Sequence, residues 1–554
     1  MSNQRRAGAV LSYLNIILKN VTNFLYVPLL LRLVGQADYG LFQMTNSVTS
    51  SLTILSMGLS SAYVKFYIDY KTKEKTEEIK RLNGLYLVLF LLISLISLVS
   101  GIILVFNTSN LFDKSLSARE IKLTKELMFI LVLNIAITFP SSVFDSNIMV
   151  NQHFIFQQTR KIFQTIFVPV SSIVLIYLGF GILSVGLTQL FITFFFLFFT
   201  FAFSLKNFII HFLFIVFSSV LLNHFFSFFF FMFLILLVSS LKRFISFVYL
   251  IINIRYCRKK LNMQFLFTGF SSGLIKQLLS FSLFILLNQI VDMINNNAPN
   301  FIIGMVMGAR DVATFAIALQ IKNMFFMLST SLSSVFVPQV NEYVSSQKTN
   351  QVLGDLMIRV GRIQMTILFF ILGGFIIVGR FFISIWAGNE NMDAYHLIIM
   401  MVLPSIIPLS QNVGIEIQRA QNKHIFRSIS YSIFAVANIV ITYLGAQYFG
   451  LEGASFGYIF SILFANGLLM NWYYHTKLSL DMKKFWKNSL PVVIPFVVAT
   501  GIGLVIQLYF PVNGYLQFLL QGIIYVIIFF AIYARWIATD YEKQQINIFR
   551  KIGR

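Results

Sequence analysis

Long apolar segments recur from one end of the chain to the other, and they decide what it can fold into. A helix that crosses a lipid bilayer needs about 20 mainly apolar residues. Such segments follow one another along the 554 residues with short polar connections between them. Hydrophobic residues make up 57% of the chain and charged residues only 11%, whereas a soluble domain carries roughly 25% charged residues. The sequence therefore predicts an all-α integral membrane protein.

Fourteen segments are long and apolar enough to predict about fourteen transmembrane helices. The Phe-rich region 205–254 fits this scheme poorly, because its two apolar stretches are short. It is either a short inserted hairpin or a stretch outside the ancestral fold. The fourteen predicted spans are 10–31, 41–66, 83–106, 126–149, 163–181, 183–204, 277–303, 311–337, 363–386, 395–417, 427–449, 453–475, 489–510 and 514–537.

The distribution of basic residues predicts the orientation of these spans. The chain carries 42 Lys and Arg against 20 Asp and Glu, a formal net charge of +22. Lys and Arg collect in cytoplasmic loops, and here they fall in every second loop when Arg5 and Arg6 are placed inside. We therefore attribute the charge to membrane orientation rather than to a nucleic-acid partner, and we expect both termini to be cytoplasmic. The single cysteine, Cys257, lies in a predicted inner loop and permits no intrachain disulfide.

The two halves of the chain resemble each other at a shift of 273 residues. Gly35 then aligns with Gly308, and Asp38 with Asp311, without a gap. Both halves begin on the same side, and parallel repeats of this kind are related by an axis along the membrane normal. We therefore expect two pseudo-symmetric lobes that face a central cleft and rock to give alternating access. The predicted domains are an N-terminal lobe (1–205), a Phe-rich insertion and linker (206–260), a C-terminal lobe (261–475), and two further helices with a cytoplasmic tail (476–554).

Polar side chains inside two repeat-related spans are the candidate binding site. Asn15, Lys19 and Asn23 lie four residues apart and so share one face of the first helix. Polar residues inside spans are costly and often line a wet cavity. In a wet cavity Lys19 would bind a phosphate. The alternatives are a buried Lys–Asp pair or polar contacts that hold helices together. The matching residues of the seventh helix are Asn288, Asp292 and Asn296, and Lys322 in the eighth helix adds a further cation.

Several kinds of active site are absent from the sequence. It contains no phosphate-binding Gly-x-x-x-x-Gly-Lys-Ser/Thr loop, and no His, Cys and carboxylate cluster has the spacing of metal ligands. No predicted outer loop is long enough to hold a glycosyl-transfer site. We therefore expect a transporter with no cofactor and no bound metal rather than an enzyme.

Two motifs give the chain a family resemblance. Leu29-Leu-Leu-Arg32-Leu-Val-Gly35-x-x-x-Tyr39-Gly40-Leu41 follows the polar first helix, and Val312-Ala-Thr-Phe-Ala-Ile-Ala-Leu-Gln320-Ile follows the seventh. Both resemble polysaccharide-export flippases, the O-antigen and teichuronic-acid branch of the multidrug/oligosaccharidyl-lipid/polysaccharide exporter superfamily. The resemblance covers nearly the whole chain except about 205–254.

This resemblance implies a MATE-like fold in the bacterial cytoplasmic membrane. It also implies a flippase for undecaprenyl-pyrophosphate-linked oligosaccharide in the synthesis of surface polysaccharide such as O-antigen or capsule, with a polysaccharide polymerase as a further partner. Two alternatives stay open: a multidrug or small-cation antiporter of the same superfamily, and a membrane polysaccharide polymerase or ligase. A flippase for the peptidoglycan precursor would differ only in its cargo.

Overall fold

The structure is a computed structural model, and it describes residues 2–53, 59–189, 263–268, 289–291, 293–421, 423, 425–539 and 542–543, with the single positions 273 and 276. Within these ranges the chain is helical apart from short turns and the extended segment 263–268, and no β-strand occurs. The predicted all-α fold class is thus confirmed. The chain divides into two compact units, Met1–Met293 and Ile294–Arg554.

The N-terminal unit contains six described helices. Several large apolar side chains on α1 and on the middle of α4 are exposed, among them Leu25 and Leu95. Buried side chains are concentrated on α2 and α5, which pack against each other. The helices are α1 (Ser2–Val34), α2 (Gln36–Leu52), α3 (Leu59–Thr72), α4 (Thr76–Phe112), α5 (Ala118–Val150) and α6 (Phe154–Leu175), the last extended by a π-helical turn (Ile176–Phe180).

The C-terminal unit contains twelve described helices and several short turns. Its core lies on α10, which contacts the helices before and after it in the chain. The helices are α7 (Ala298–Val306), α8 (Ala309–Ser334), α9 (Val337–Ser345), α10 (Asn350–Trp386), α11 (Ala394–Leu409), α12 (Asn412–Ala420), α13 (Ile425–Ala454), α14 (Phe456–Ser461), α15 (Met470–Thr476), α16 (Met482–Ser489), α17 (Val493–Tyr509) and α18 (Tyr515–Ile532).

The described helices agree with a polytopic membrane protein. In this part of the chain, nine helices are long and apolar enough to cross a membrane, or ten if the pair α11 and α12, bent by 42°, is one span. The predicted count of about fourteen is compatible with this. The predicted span 41–66 is divided between α2 and α3, and residues 54–58 between them are outside the description. Most of spans 183–204 and 277–303, the Phe-rich region 205–254 and Cys257 also lie outside the described residues.

One predicted loop is shorter than expected. The predicted spans 83–106 and 126–149 leave residues 107–125 as the connection between them, but α4 continues to Phe112 and α5 already begins at Ala118. The reason is a capping box: the Ser117 hydroxyl accepts a hydrogen bond from the backbone N–H of Glu120, and the Glu120 carboxylate accepts one from the backbone N–H of Ser117. This cap starts α5 earlier than the apolar pattern alone indicates.

The repeat is visible in the backbone. Gly35 precedes α2 with φ of 84°, and Gly308 precedes α8 with φ of 107°. Both lie in the region of φ that glycine alone adopts easily. Asp38 and Asp311 then occupy the first turns of α2 and α8, where a negative charge favours the helix dipole. The aligned Gly and Asp positions therefore serve the same structural purpose in both halves.

The last two spans pack directly onto α10. A Cβ atom added at Gly373 would overlap the hydroxyl groups of Tyr525 and Thr500. The Tyr525 hydroxyl donates a hydrogen bond of 2.8 Å to the carbonyl of Phe370. These spans therefore form one packed group with α10 in the C-terminal unit. The predicted domain boundaries fall partly outside the described residues and stay predictions.

Candidate functional site

The polar face of α1 is partly held by α6 and partly exposed. The Thr165 hydroxyl donates a hydrogen bond of 3.1 Å to the Asn15 amide oxygen, and further along the same helix pair the Tyr26 and Ser172 hydroxyls lie 2.7 Å apart. Lys19 and Asn23 are exposed on the surface of the N-terminal unit. Of the three predicted residues, Asn15 thus contributes to helix packing, while Lys19 and Asn23 are open to a ligand.

Lys322 lies near the middle of α8 with only 2% of its surface exposed. Its ammonium nitrogen donates a hydrogen bond of 3.3 Å to the Asn296 amide oxygen. The same nitrogen lies 4.3 Å from the centre of the Tyr458 ring and 5.6 Å from that of Phe326. Among the residues that the structure describes, none forms an ion pair with it. The cation is therefore held by a neutral oxygen and aromatic faces.

Other polar side chains extend this cluster across three helices. Asn438 of α13 donates a hydrogen bond of 2.8 Å from its amide nitrogen to the Asn295 amide oxygen. The Asn438 oxygen accepts one of 3.0 Å from the Thr442 hydroxyl, one turn further along α13. The Tyr458 hydroxyl lies 2.8 Å from that of Ser405 on α11. We call this group, with Lys322 and Asn296, the Lys322 cluster.

Rough magnitudes explain how the cluster can hold a charge. Placing a lysine at the centre of a membrane helix costs about 2.5–3.5 kcal/mol on insertion scales. A desolvated cation over an aromatic ring gains about 2 kcal/mol, and a hydrogen bond to a charged group about 1.5–3 kcal/mol. The two gains together are of the same order as the cost. Lys322 can thus stay buried, but no contact in the described chain neutralises its charge.

The structure brings together only some of the predicted site residues. Lys322 and Asn296 are in contact, and Asn15 contacts α6. Asn288 and Asp292 lie outside the described residues. Two further acidic residues of the membrane helices, Asp145 and Glu416, form ion pairs with Arg160 at 2.6 Å and Arg419 at 2.7 Å. These pairs give both carboxylates a structural partner, so we do not include them in the site.

Sequence reasoning missed the partners that complete the Lys322 cluster. Asn438 and Thr442 lie four residues apart in an otherwise apolar span, the same spacing that marked Asn15, Lys19 and Asn23. This spacing could therefore have marked Asn438 and Thr442 as candidate site residues. The approach of Tyr458 to Lys322 joins α14 to α8, and no local pattern predicts such a contact. Across the described residues, no group of three or more His, Cys, Asp or Glu could hold a metal ion.

Comparisons with known proteins fit this architecture. Residues 235–396 match the family model described as "Polysaccharide biosynthesis protein". Over these residues, which include part of the Phe-rich region 205–254, the match confirms the predicted resemblance to polysaccharide biosynthesis proteins. The fold is similar to that of a lipid II flippase, MurJ, in an inward closed conformation, at a TM-score of 0.64 and 14% identity over 96% of this chain and 99% of that one.

The fold is also similar to that of two MATE transporters. A multidrug resistance MATE family transporter of the MOP superfamily, in an inward-facing conformation, gives a TM-score of 0.53 at 14% identity over 84% of this chain and 99% of that one. A mutant form of the Vibrio cholerae MATE transporter VcmN gives 0.50 at 10% identity over 87% and 99%. At such identities these likenesses show the fold and not the cargo. No curated protein sequence matches the chain.

Proposed function

We propose that the protein is a flippase that moves undecaprenyl-pyrophosphate-linked oligosaccharide across the bacterial cytoplasmic membrane by alternating access, for the synthesis of surface polysaccharide. The observation that carries this proposal is the environment of Lys322. The Lys322 nitrogen contacts the Asn296 amide oxygen and the Tyr458 ring, and no carboxylate among the described residues pairs with it. Phosphate oxygens form stronger, charge-assisted hydrogen bonds with an ammonium group than a neutral amide does.

The proposed mechanism assigns one role to each predicted residue group. Lys19, exposed on α1, attracts the pyrophosphate, with Asn23 as a neighbouring donor. Lys322 then exchanges the Asn296 oxygen for a phosphate oxygen when the Lys322 cluster opens. The bilayer accommodates the lipid tail throughout. Asn288 and Asp292 stay predictions, as do O-antigen or capsule units as the sugar and a polysaccharide polymerase as the recipient.

The test is complementation of a strain that lacks this gene. We expect Lys19→Ala and Lys322→Gln each to abolish surface polysaccharide while the protein remains in the membrane at normal amount. Lys348→Gln serves as the matched control, because Lys348 is an exposed lysine in the turn between α9 and α10. Normal surface polysaccharide with both Lys19→Ala and Lys322→Gln would contradict the proposal.

The MATE matches make a multidrug antiporter the second candidate. An antiporter for cationic drugs requires an acidic or apolar binding region, and the described residues place a lysine at the centre of the Lys322 cluster instead. Drug resistance that depends on this gene, together with unchanged surface polysaccharide in its absence, would favour the antiporter. If the protein were a membrane polymerase or ligase, loss of the gene would change the chain length or attachment of the polysaccharide and leave cargo translocation intact.

A further inference from the structure

A cavity lies at the end of the N-terminal unit where α2 and α5 begin. It has a volume of about 280 Å³ and lies wholly within this unit. By the predicted orientation, this end faces the outside of the cell. Ligand pockets commonly span about 300–1,000 Å³, so the cavity suits one small ring rather than a long chain. Its lining combines Asp38 of α2, Arg119, Lys122, Leu123 and Glu126 of α5, and residues 179–182 after α6.

The charged side chains of the cavity balance one another. Asp38 and Glu126 are acidic, and Arg119 and Lys122 are basic, so the formal charges cancel. An Arg119 guanidinium nitrogen lies 3.5 Å from an Asp38 carboxylate oxygen. Burial raises the pKa of the Asp38 carboxyl, while the Arg119 charge lowers it. A phosphate or another strong anion requires an excess of positive charge, and this cavity has none.

An aromatic ring forms one wall of the cavity. Phe180 lies between Gly179, with φ of 90°, and Gly181, with φ of 52°. Such backbone angles suit glycine and strain other residues, so the chain turns here at two glycines. Phe180 keeps 41% of its surface exposed, so its ring is accessible to a ligand. The face of an aromatic ring carries partial negative charge and attracts the polarised C–H groups of a sugar.

We propose that this cavity binds a neutral sugar ring. The carboxylates of Asp38 and Glu126 accept hydrogen bonds from sugar hydroxyls, Lys122 donates to ring or hydroxyl oxygens, and Phe180 stacks against the C–H face. The α5 residues are held rigidly because the Ser117 capping box fixes the start of that helix. The biological role of sugar binding in this cavity rests on the proposed function: the cavity would contact the carbohydrate part of the cargo at the outer side of the membrane.

The binding itself can be measured without transport. The full-length protein is purified in a detergent that lacks a sugar headgroup, and saturation-transfer NMR is recorded with methyl glucoside as the probe. We expect saturation of the sugar ring protons by the wild type, and at least a threefold loss with Phe180→Ala and with Asp38→Asn. Phe510→Ala is the matched control, because Phe510 is an exposed aromatic residue at the end of α17, outside the cavity.

Three results would overturn the inference: no saturation transfer to methyl glucoside in the wild type, equal transfer in Phe180→Ala, or displacement of the sugar by inorganic pyrophosphate, which would mark an anion site. Asp38→Asn keeps the shape of the side chain, so its result stands even if Phe180→Ala fails to fold. Sugar binding without cargo translocation would contradict the proposed function alone. Translocation without sugar binding would contradict the cavity assignment alone.

Discussion

A lysine beside neutral oxygens and aromatic rings differs physically from one that is paired with a carboxylate. In a buried ion pair the carboxylate neutralises most of the lysine's positive charge, and removing either member leaves an uncompensated ion. Among the described residues, Lys322 contacts instead the Asn296 amide oxygen and the Tyr458 ring. These groups stabilise a cation without neutralising it, so an incoming anion can still be attracted. Arg362, in contrast, donates to the Glu542 carboxylate at 2.8 Å. We therefore assign binding to Lys322 and structure to Arg362.

Two substitutions distinguish the contribution of the Tyr458 ring to transport from that of the Tyr458 hydroxyl. Tyr458→Phe removes only the hydroxyl contact with Ser405, worth about 1 kcal/mol, and we expect transport close to the wild type. Tyr458→Leu also removes the ring and with it about 2 kcal/mol of attraction for the Lys322 ammonium, so transport should fall severalfold. The measurement is the amount of surface polysaccharide per cell. Equal defects in both variants would place the role of Tyr458 in its hydroxyl instead.

The residues that form this site could be predicted only in part. The four-residue spacing of Asn15, Lys19 and Asn23 and the lysine inside α8 stand out against apolar sequence, so the candidate polar positions were visible. The contact of Tyr458 with Lys322 was not, because it depends on how α14 packs against α8 and no local pattern encodes that distance. Likewise, nothing in the sequence indicated that Asn15 contacts Thr165.

Helix packing in the C-terminal unit depends on small residues that allow close approach. Membrane helices gain little from the hydrophobic effect against one another, so close backbone contact at small residues carries much of the stability. Gly373 of α10 faces the hydroxyls of Tyr525 and Thr500. On α18, by comparison, Gly522 has open space where a Cβ would lie. The two glycines therefore allow a matched comparison.

Gly373→Ala should destabilise the protein, and Gly522→Ala should not. Overpacking a tight contact costs about 1–3 kcal/mol, whereas an alanine with free space gains up to about 1 kcal/mol in helix propensity. Thermal unfolding of the purified protein, followed by circular dichroism, should show a midpoint several degrees lower for Gly373→Ala only. Unchanged unfolding of Gly373→Ala would mean that α10 and α18 can separate at little cost.

Arg362 anchors the end of the last span to α10. Its guanidinium donates to the Glu542 carboxylate and to the backbone carbonyls of Asn488 and Ile537. Both charged side chains are less than a tenth exposed. The other Glu542 oxygen accepts a hydrogen bond of 2.8 Å from the backbone N–H of Thr539. One side chain thus connects α10, α16 and the segment that follows α18.

Arg362→Gln should loosen the chain after residue 537. Removing one member of a buried ion pair costs about 3–5 kcal/mol, and we expect faster hydrogen exchange in residues 533–543 than in the wild type. Lys484→Gln is the control, because Lys484 forms an exposed ion pair with Asp355 at 2.6 Å, and exposed pairs contribute only about 0–1 kcal/mol. Equal exchange in Arg362→Gln and wild type would show that other contacts hold this segment.

At the scale of the whole molecule, the sequence predicted the fold class better than the element boundaries. Apolar length led to an all-α membrane protein, and the family resemblance led to a MATE-like fold. Gly35 and Gly308, which the 273-residue repeat aligns, both adopt positive φ. The early start of α5 escaped prediction because it depends on the Ser117 capping box. The orientation in the membrane rests on the loop charges and is still a prediction.

The orientation can be tested with single cysteines. Cys257→Ser removes the only native thiol, and Asn389→Cys or Lys483→Cys then introduces one at either predicted side. An impermeant maleimide added to intact cells should label Asn389→Cys, which lies between α10 and α11, and spare Lys483→Cys at the start of α16. Permeabilised cells provide the control for reactivity. The opposite labelling pattern would reverse the proposed direction of transport.

The most direct test of the account is translocation of the cargo by the purified protein. Vesicles containing the full-length chain and a fluorescent undecaprenyl-pyrophosphate oligosaccharide are mixed with an impermeant quencher, and the accessible fraction is followed in time. We predict that the wild type and Lys348→Gln equilibrate the two leaflets much faster than protein-free vesicles, while Lys322→Gln is as slow as protein-free vesicles. Wild-type protein no faster than protein-free vesicles, or Lys322→Gln as fast as wild type, would contradict the account.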